Sequence, residues 1–256
     1  MADNNGLRLF GFEIKRAKDK NAGNMQSIVP PIDQDGAGYV TAAGAHYGTY
    51  VNLGEGDDGK DNSQLIKQYR AVAVHAEVDA AVEDIVNESI VSSENQSPVT
   101  LILDHVEGLS DQVKKVMTDE FNDICSMLRF TELGHDIFRR WYVDGRIYHH
   151  LVVDDKNLKK GIQEIRPIDA TKIRKVKEIQ KNKDQATGAT LVQHVNEFYI
   201  YQEKPGGTTS GVKLSNDSVS YVTSGLLDVD RKKVVSFLHK ALKPINQLRM
   251  MEDSLV

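Results

Sequence analysis

Apolar side chains recur at steps of three and four residues along the first half of the chain, and this spacing predicts amphipathic helices. The first would begin near Asp61 or Ser63, either of which is a suitable N-cap. Its apolar face would consist of Leu65, Ile66, Tyr69, Val72 and Ala76. A second helix, capped by Asp79, would present Val82, Ile85, Val86 and Ile90. Two such faces indicate helices packed in one domain.

The clearest helical stripe follows a short predicted strand. Residues 98–104 (PVTLILD) are an apolar run between turn residues, which is typical of a buried strand. Ser110 then suits the N-cap of a helix whose apolar positions are Val113, Met117, Phe121, Ile124 and Leu128. A further helix over 131–143 would carry Leu133, Ile137 and Trp141 on one side, with Phe138 beside that stripe. The dipeptide Asp144-Gly145 is expected to end it.

Strand-like sequence dominates from residue 146 onward. Residues 146–153 are predicted to pair with 162–166 as a hairpin. Further strands are expected at 173–180, 191–201 and 218–223, with Gly-rich polar loops at 182–190 and 204–211.

The C-terminal segment returns to a helical period from Lys232 to Val256. Its apolar stripe consists of Val234, Val235, Leu238, Leu242, Ile245, Leu248 and Met251. Pro244 lies inside this pattern and is expected to break or kink the helix close to Lys243. The part after the kink is too short to be stable without a covering partner, so the last ten residues should fray.

The first sixty residues differ from the rest. Gly and Ala are dense in 35–45, aliphatic residues are sparse, and Pro30-Pro31 interrupts any helix. Three regions are therefore expected: an extended or poorly ordered arm at 1–60, an α+β domain at 61–242, and a helical start at 243–256.

Composition bounds the class of protein. The chain has 256 residues, of which 40% are hydrophobic and 27% charged, as in a soluble globular protein. A formal net charge of −5 argues against coating nucleic acid by bulk charge. Cys125 is the only cysteine, which excludes an intrachain disulfide and favours a reducing compartment. No apolar run has the length of a membrane span.

Charge is segregated along the chain. Residues 76–123 hold twelve acidic and two basic side chains, whereas residues 156–183 hold ten basic and three acidic ones. Opposite blocks of this kind suit a contact between neighbouring copies or a nucleic-acid patch, or they are two solvated faces of one domain. The basic block lacks interleaved aromatic residues, and this weighs against single-stranded nucleic acid.

One stretch has the spacing of a phosphate-binding loop. Residues 54–61 (GEGDDGKD) contain glycine, four residues, glycine and lysine, but Asp61 stands where the hydroxyl that holds magnesium is needed. Four acidic side chains also surround a single lysine. The stretch is therefore interpreted as a solvated turn before a helix.

One cluster has residue types suited to a metal. His149-His150 and Asp154-Asp155 lie close together at the end of a predicted strand. Adjacent histidines on a strand point to opposite faces, and Asp154-Asp155 is typical of a turn. A metal-dependent phosphodiesterase using His150 and Asp154 stays open as an alternative. The sequence otherwise indicates no catalytic residue, cofactor or metal site, and hence no enzyme.

Four segments together resemble the portal vertex protein of T-even-like contractile-tailed phages, including cyanophages. They are LIKQYRAVAVHAEVDAAVEDIVNESIV at 65–91, FRRWYVDGRIYHH at 138–150, EIRPIDATKIRKVKEI at 164–179 and LHKALKPINQLRMMEDSLV at 238–256. The resemblance covers about 62–256, and it is weak before residue 61. Its most specific part is FRRWYVDGR followed by a hairpin and RPIDATKIRKV.

The resemblance implies a structural role in the virion. Such proteins form a twelve-membered ring, assembled in the host cytoplasm, through which a separate terminase pumps double-stranded DNA without reading its sequence. The implied partners are further copies of the chain, the major capsid protein, the terminase large subunit, scaffold, and neck or head-completion proteins. The matched segments would form the mixed α/β wing and the start of the stem helix. Ending at Val256, the chain is expected to be the N-terminal half of a longer protein.

Several residues are candidates for architecture or subunit contact rather than chemistry. They are Arg139, Arg140, Trp141, Arg146, Lys172, Arg174, Lys175, Lys177, Pro244, Leu248 and Met251. Trp141 is expected to be buried, so its replacement by alanine should cost roughly 3–5 kcal/mol. The arginines suit either surface salt bridges or subunit contacts. A generic scaffold or adaptor is the remaining alternative.

Overall fold

The computed structural model describes residues 7–9, 12–14, 35–41, 58–91, 97–154, 156–183, 190–203, 211–229 and 233–255. The helices are α1 (Asp58–Ala73), α2 (Ala76–Ser89), α3 (Asp111–Met127), α4 (Phe130–Asp144) and α5 (Leu242–Leu255). The strands are β1 (Leu7–Leu9), β2 (Phe12–Ile14), β3 (Gly38–Thr41), β4 (Arg146–Val153), β5 (Ile162–Ile168), β6 (Ile173–Lys183), β7 (Thr190–Tyr201), β8 (Val212–Ser215) and β9 (Val219–Thr223). Short 3-10 turns lie at Leu158–Lys160, Asn216–Ser218 and Phe237–Ala241. The predicted α+β class is confirmed.

The described strands form a hairpin and two larger sheets. β1 and β2 pair with each other, and β5-β4-β9 make an antiparallel sheet. The other sheet has the order β3-β6-β7-β8, in which β3 runs parallel to β6 and the other pairs are antiparallel. The predicted hairpin of 146–153 with 162–166 is confirmed, with His150 opposite Arg166. The strands expected at 173–180, 191–201 and 218–223 are also present, and the short strand β8 was missed.

The helical core lies where α1, α2 and α4 meet the 3-10 turn before α5. Its buried members are Tyr69, Val72, Ala73, Val78, Val82, Val86, Val143 and Leu238. The faces of α1 and α2 are thus confirmed in part. Ala76 lies at the start of α2 and is exposed, and Ile85 is 37% exposed because Val78, Val82 and Val86 face inward instead.

Both predicted helix starts were placed too late. α1 begins at Asp58, so Asp61 and Ser63 lie inside it rather than at an N-cap. α2 begins after His75, and Asp79 lies in its first turn. The acidic loop predicted at 54–61 therefore belongs to α1 from Asp58 onward, while residues 54–57 lie outside the described ranges.

A second core joins α1 to the sheets. Its buried members are Ile66, Tyr148, Ala170, Ile173, Tyr199 and Val219. Tyr148 stacks on Tyr221 with ring centroids 4.5 Å apart. Because the rings of Tyr148, Tyr199 and Tyr221 come from β4, β7 and β9, they join the two larger sheets. Ile66 packs α1 against the same core.

The strand predicted at 98–104 is wrong. This stretch has no regular structure, and Ile102 is 68% exposed. No described strand lies beside it to accept its backbone hydrogen bonds, so an apolar run alone does not form a strand here.

The side chain of Ser110 accepts a hydrogen bond from the Val113 amide and caps α3, as predicted. However, α3 buries none of its residues fully, and Met117 and Ile124 are 41% and 40% exposed. α4 ends at Asp144, and Gly145 is left-handed at its C-cap, as the Asp-Gly signal indicated.

The helix expected to begin at Lys232 is wrong as far as Ala241, although the break expected close to Lys243 agrees with the change of structure at Leu242. Val234 forms an isolated bridge with Leu227, and the 3-10 turn Phe237–Ala241 precedes α5. Since α5 begins at Leu242, Pro244 lies in its first turn, where its missing N–H would have no helical partner anyway. The change of structure falls at Leu242, and no kink inside α5 is required. Among the helices described, none is both long and apolar enough to cross a membrane.

Candidate interface surfaces and internal ion pairs

Two candidate lysines lie in a partly buried group of four charges on the β3-β6-β7-β8 sheet. Lys175 Nζ is 2.8 Å from both Asp35 Oδ2 and Glu197 Oε2. Lys177 Nζ is 3.2 Å from Asp35 Oδ2 and from Glu197 Oε1, and its side chain is only 1% exposed. Two cations and two carboxylates thus balance one another, and we call this group the ion quartet.

The ion quartet fixes the ionised state of its carboxylates. Burial alone would raise the pKa of Asp35, but the hydrogen bond from Lys175 and the Ala37 amide hold it below its usual value. The pKa of Glu197 is likewise lowered against its burial by hydrogen bonds from Lys175 and Lys177. Both lysines therefore have partners inside the chain.

A second ion-pair group was not predicted. Arg70 on α1 donates through Nε to Asp144 Oδ1 at 2.9 Å and through Nη2 to Asp144 Oδ2 at 2.7 Å. The same Nη2 lies 3.1 Å from Asp169 Oδ1. Burial would raise the pKa of Asp169, but hydrogen bonds from Arg70 and Thr171 lower it to about 2. Asp144 and Asp169 both lie in motifs that the sequence showed, the Asp144-Gly145 turn and the RPID segment. No helical periodicity identified Arg70 as their partner.

Arg139 and Arg140 both pair within the chain. Arg139 Nε donates to Glu83 Oε1 at 2.9 Å, and its Nη2 donates to Asp79, which links α4 to α2. Arg140 pairs with Asp136 one turn earlier on α4, at 2.9 Å. The ion pairs of Arg139 hold α4 against α2, whereas the pair of Arg140 with Asp136 lies on an exposed surface.

Trp141 and Arg146 fasten α4 and β4 to the segment before α5. Trp141 is half-buried, and its ring centroid lies 5.3 Å from that of Phe237. Its indole N–H donates to the Thr223 carbonyl at 3.2 Å. Trp141 was expected to be buried and is only half-buried, because α4 turns Val143 and Asp144 inward. Arg146 is buried and donates to the Val234 carbonyl.

We expect Trp141→Ala to lower the free energy of unfolding by about 2–3 kcal/mol, at or below the low end for a large aromatic side chain because the ring is half-buried. Chemical denaturation measures it. Trp141→Phe is the matched control, since it keeps most ring contact and loses only the hydrogen bond to Thr223. If the alanine variant unfolds at the same denaturant concentration as the parent, the ring does not hold α4 in place.

The remaining basic candidates on the sheet are half-buried. The amide of Lys172 donates to the Asp169 carbonyl at 2.9 Å, which closes the turn before β6. Burial lowers the pKa of the Arg174 guanidinium, whose buried Nε has no hydrogen-bond partner within the described residues. Neither side chain is a freely exposed cation.

The hairpin between β4 and β5 carries the residues considered for a metal. Asp154 accepts from the Lys156 amide at 3.0 Å and lies 3.3 Å from Lys160 Nζ, as expected of a turn residue. His149 is buried, which lowers its pKa, while His150 is half-buried. In the described ranges no three His, Cys, Asp or Glu side chains converge as a metal site would need. Asp155 lies outside those ranges.

The loop that follows, which we call the hairpin tip, comprises residues 156–161. All six residues are exposed, and Leu158 is 70% exposed. Lys156 and Lys159 form no ion pair within the described residues.

A line of apolar side chains, which we call the α3 strip, is exposed on α3. It consists of Val116, Met117, Ile124 and Met127, which are 47%, 41%, 40% and 36% exposed. Glu120 lies within this line, since it is four residues from both Val116 and Ile124. Asp119 and Asp123 are also exposed on α3, so the strip has an acidic border.

The C-terminal candidates lie on α5. Pro244 is exposed, Leu248 is half-buried and Met251 is 63% exposed, with Met250 and Leu255 more exposed still. Ile245 packs on the helical core, so α5 is anchored at its start and uncovered toward its end.

We expect amides 247–255 to exchange rapidly in the isolated chain, because a helix end with uncovered apolar residues opens easily. Native-state hydrogen exchange measures this. Amides 69–73 of α1, within the helical core, are the internal control and should be strongly protected. Strong protection of 247–255 in a monodisperse monomer would show that the domain itself holds this helix.

Most of the chain is similar in sequence to known phage proteins. Residues 62–256 match the sequence profile of the family described as Bacteriophage T4-like portal protein (Gp20). The portal protein of Vibrio phage KVP40 is 36% identical over 205 residues, which cover 75% of this chain and 39% of that protein. The portal protein of Salmonella phage ViI is 28% identical over 258 residues, covering 95% of this chain and 46% of that protein. The chain thus spans less than half the length of these curated relatives.

Proposed function

Since the chain belongs to the T4-like bacteriophage portal protein family, we propose that it supplies the N-terminal part of a subunit of the portal ring at the head vertex. In this role the ring forms the channel for DNA packaging and ejection. It is also the docking site for terminase, capsid and neck proteins. The observation that supports the proposal is the match over 62–256, which includes both cores, the ion quartet apart from Asp35, and α5.

The arrangement of the described residues suits a structural role. The charged candidates at the sheet and along α4 are engaged in holding elements together, as Arg139 and Lys177 do. The alternative of a metal-dependent phosphodiesterase is not favoured, because Asp154 is engaged in the hairpin turn. The portal family is structural, and the proposed role needs no catalytic residue.

Images of the complete protein provide the test. Negative-stain electron microscopy should show closed rings with a central hole, and twelve subunits are expected from the family resemblance. A stable monomer at all protein concentrations would contradict the proposal and favour a generic scaffold. The matched specimen is this 256-residue chain alone, which lacks most of the length of its relatives and is expected to be monomeric or weakly associated.

We also expect ring assembly to weaken with salt. The acidic block of 76–123 keeps exposed carboxylates without ion pairs in the described residues, including Asp104, Glu107, Asp119 and Glu120. The basic block keeps Lys156 and Lys159 on its exposed loop. If these blocks meet between subunits, raising ionic strength from about 0.05 M to 0.5 M should shift the assembly midpoint to higher protein concentration. The measurement is sedimentation velocity, and a midpoint that salt does not move would contradict a charge-led contact.

A further inference from the structure

The hairpin tip presents one exposed apolar side chain among lysines. Leu158 is 70% exposed and lies among Lys156, Lys159 and Lys160. Lys160 is held by Asp154 at 3.3 Å, whereas the other two lysines have no ion pair in the described part of the chain. The tip is therefore a small apolar knob next to two available cations.

The α3 strip has the opposite character. Val116, Ile124 and Met127 lie along one side of α3 and remain at least one-third exposed. Glu120 lies among them and has no ion pair within the described residues. An apolar surface with a carboxylate inside it fits a partner that brings an apolar side chain and a cation together.

Leu158 and the α3 strip are both exposed in one folded chain, so they do not cover each other within it. We propose that the hairpin tip of one copy docks on the α3 strip of a second copy. Leu158 then packs against Val116 and Ile124, and Lys159 pairs with Glu120. This inference rests on the proposed ring, for which it names the contacting surfaces.

The proposed contact joins two different patches, so each copy keeps one free tip and one free strip. Such a heterologous contact passes from copy to copy and closes into a ring when the rotation per copy allows it. It also accounts for the position of the opposite charges, because the tip belongs to the basic block and α3 to the acidic block.

Disulfide trapping between distinguishable copies provides the first test. One tagged copy carries Cys125→Ser with Val116→Cys, and an untagged copy carries Cys125→Ser with Leu158→Cys. Mild oxidation of the mixture should give a tagged–untagged covalent dimer, since a disulfide needs Cα atoms within about 7 Å. The matched control replaces Leu158→Cys by Val229→Cys, whose parent residue is 95% exposed but lies outside the tip. A second comparison arm replaces Leu158→Cys by Met251→Cys and tests whether α5 of a neighbouring copy occupies the α3 strip instead.

A dimer yield at least about fivefold above both comparison arms supports the proposal. Equal yields would overturn it as random collision, and a higher yield with Met251→Cys would assign the strip to α5 of a neighbour. No covalent dimer in any arm, at a protein concentration where the chain self-associates, would also overturn it.

Charge exchange provides the second test, with association of the complete protein as the readout. Glu120→Lys and Lys159→Glu should each weaken association by about tenfold, and both changes in one chain should restore most of it. Lys115→Glu is the control for net charge, since it lies on α3 away from the strip. If the double variant loses as much association as the two single variants combined, Lys159 does not pair with Glu120 and the proposal is overturned.

Images of the same samples separate this inference from the proposed function. If rings form but Val116→Cys and Leu158→Cys do not crosslink within them, the docking mode is wrong and the ring proposal stands. If the crosslink forms between copies of the complete protein that make no ring, the docking mode is supported and the ring proposal is contradicted.

Discussion

Gly145→Ala is expected to lower the free energy of unfolding by roughly 2–5 kcal/mol. Gly145 ends α4 with a φ of +71°, which costs an L-residue about 1–2 kcal/mol. A β-carbon there would also lie 2.8 Å from the Ser236 amide nitrogen, from its Cα and from the Val235 carbonyl oxygen. These are backbone atoms beside the helical core, so they cannot move aside as a flexible side chain would.

Gly225→Ala is the matched control for this prediction. Gly225 has a φ of +74°, but a β-carbon there would meet nothing within 4 Å. Its replacement therefore costs only the backbone strain, about 1–2 kcal/mol. Equilibrium denaturation of both variants measures the difference. Equal losses would mean that the segment 235–236 does not press on the end of α4.

Glu197→Gln is expected to cost about 3 kcal/mol at neutral pH, because it leaves the ion quartet with one uncompensated positive charge around the buried Lys177. Glutamine keeps the size of the side chain, so the loss reports on charge rather than on packing. Glu178→Gln on the neighbouring strand β6 is the control. Glu178 belongs to no ion pair in the described residues, and its replacement should change stability by less than about 0.5 kcal/mol.

The pH dependence gives this prediction a distinct signature. The pKa of Glu197 is lowered in the folded state, so its ionised form contributes stability above its usual value of 4.5. That contribution is lost as the pH falls below 4.5 through the lowered pKa. The gap in melting temperature between parent and Glu197→Gln should therefore be largest at neutral pH and should shrink toward pH 3. A gap that is constant with pH would contradict an ionic origin.

Local signals predicted those elements whose ends are determined by neighbouring residues. The Asp144-Gly145 turn ends α4 because only glycine adopts its left-handed backbone without strain. Ser110 caps α3 because its hydroxyl can reach the amide three residues later. The β4–β5 hairpin was predicted because the strand-like runs 146–153 and 162–166 follow each other across a short loop. Each signal acts within a few residues, so the sequence alone contains it.

Tertiary packing determined which helix faces are buried and why two of the predicted elements do not form. α3 has the most regular stripe and yet leaves Met117 and Ile124 exposed, since periodicity identifies an apolar face without saying what covers it. The apolar run at 98–104 lacks a partner strand. Val234, which lies after Lys232, forms a β-bridge with Leu227 before α5 begins. These outcomes depend on which other segment lies alongside, and the apolar pattern of a segment does not contain that information.

The sequence identified the charged candidate residues but not the partners that they contact. The basic cluster around Lys175 was visible in the sequence, but its partner Asp35 lies in a segment that the composition indicated to be an arm. No pattern relates these two positions, so the ion quartet could not be inferred from the sequence. The boundaries of the three predicted regions at 60 and 242 stay predictions, although β3 joins part of the first region to the sheet.

The parallel pairing of β3 with β6 has a consequence for the order of folding. Gly38 pairs with Val176, so helices α1 to α4 and strands β4 and β5 all lie between these partners along the chain. Closing so long a loop costs entropy that short-range contacts avoid, and we infer that β3 joins the sheet after β6 and β7 have formed their hairpin. Until then the outer edge of β6 presents unpaired backbone groups, which are a template for pairing with another chain. Removing residues up to Thr41 would make that open edge permanent, and the truncated protein should aggregate even where its helices and hairpins fold.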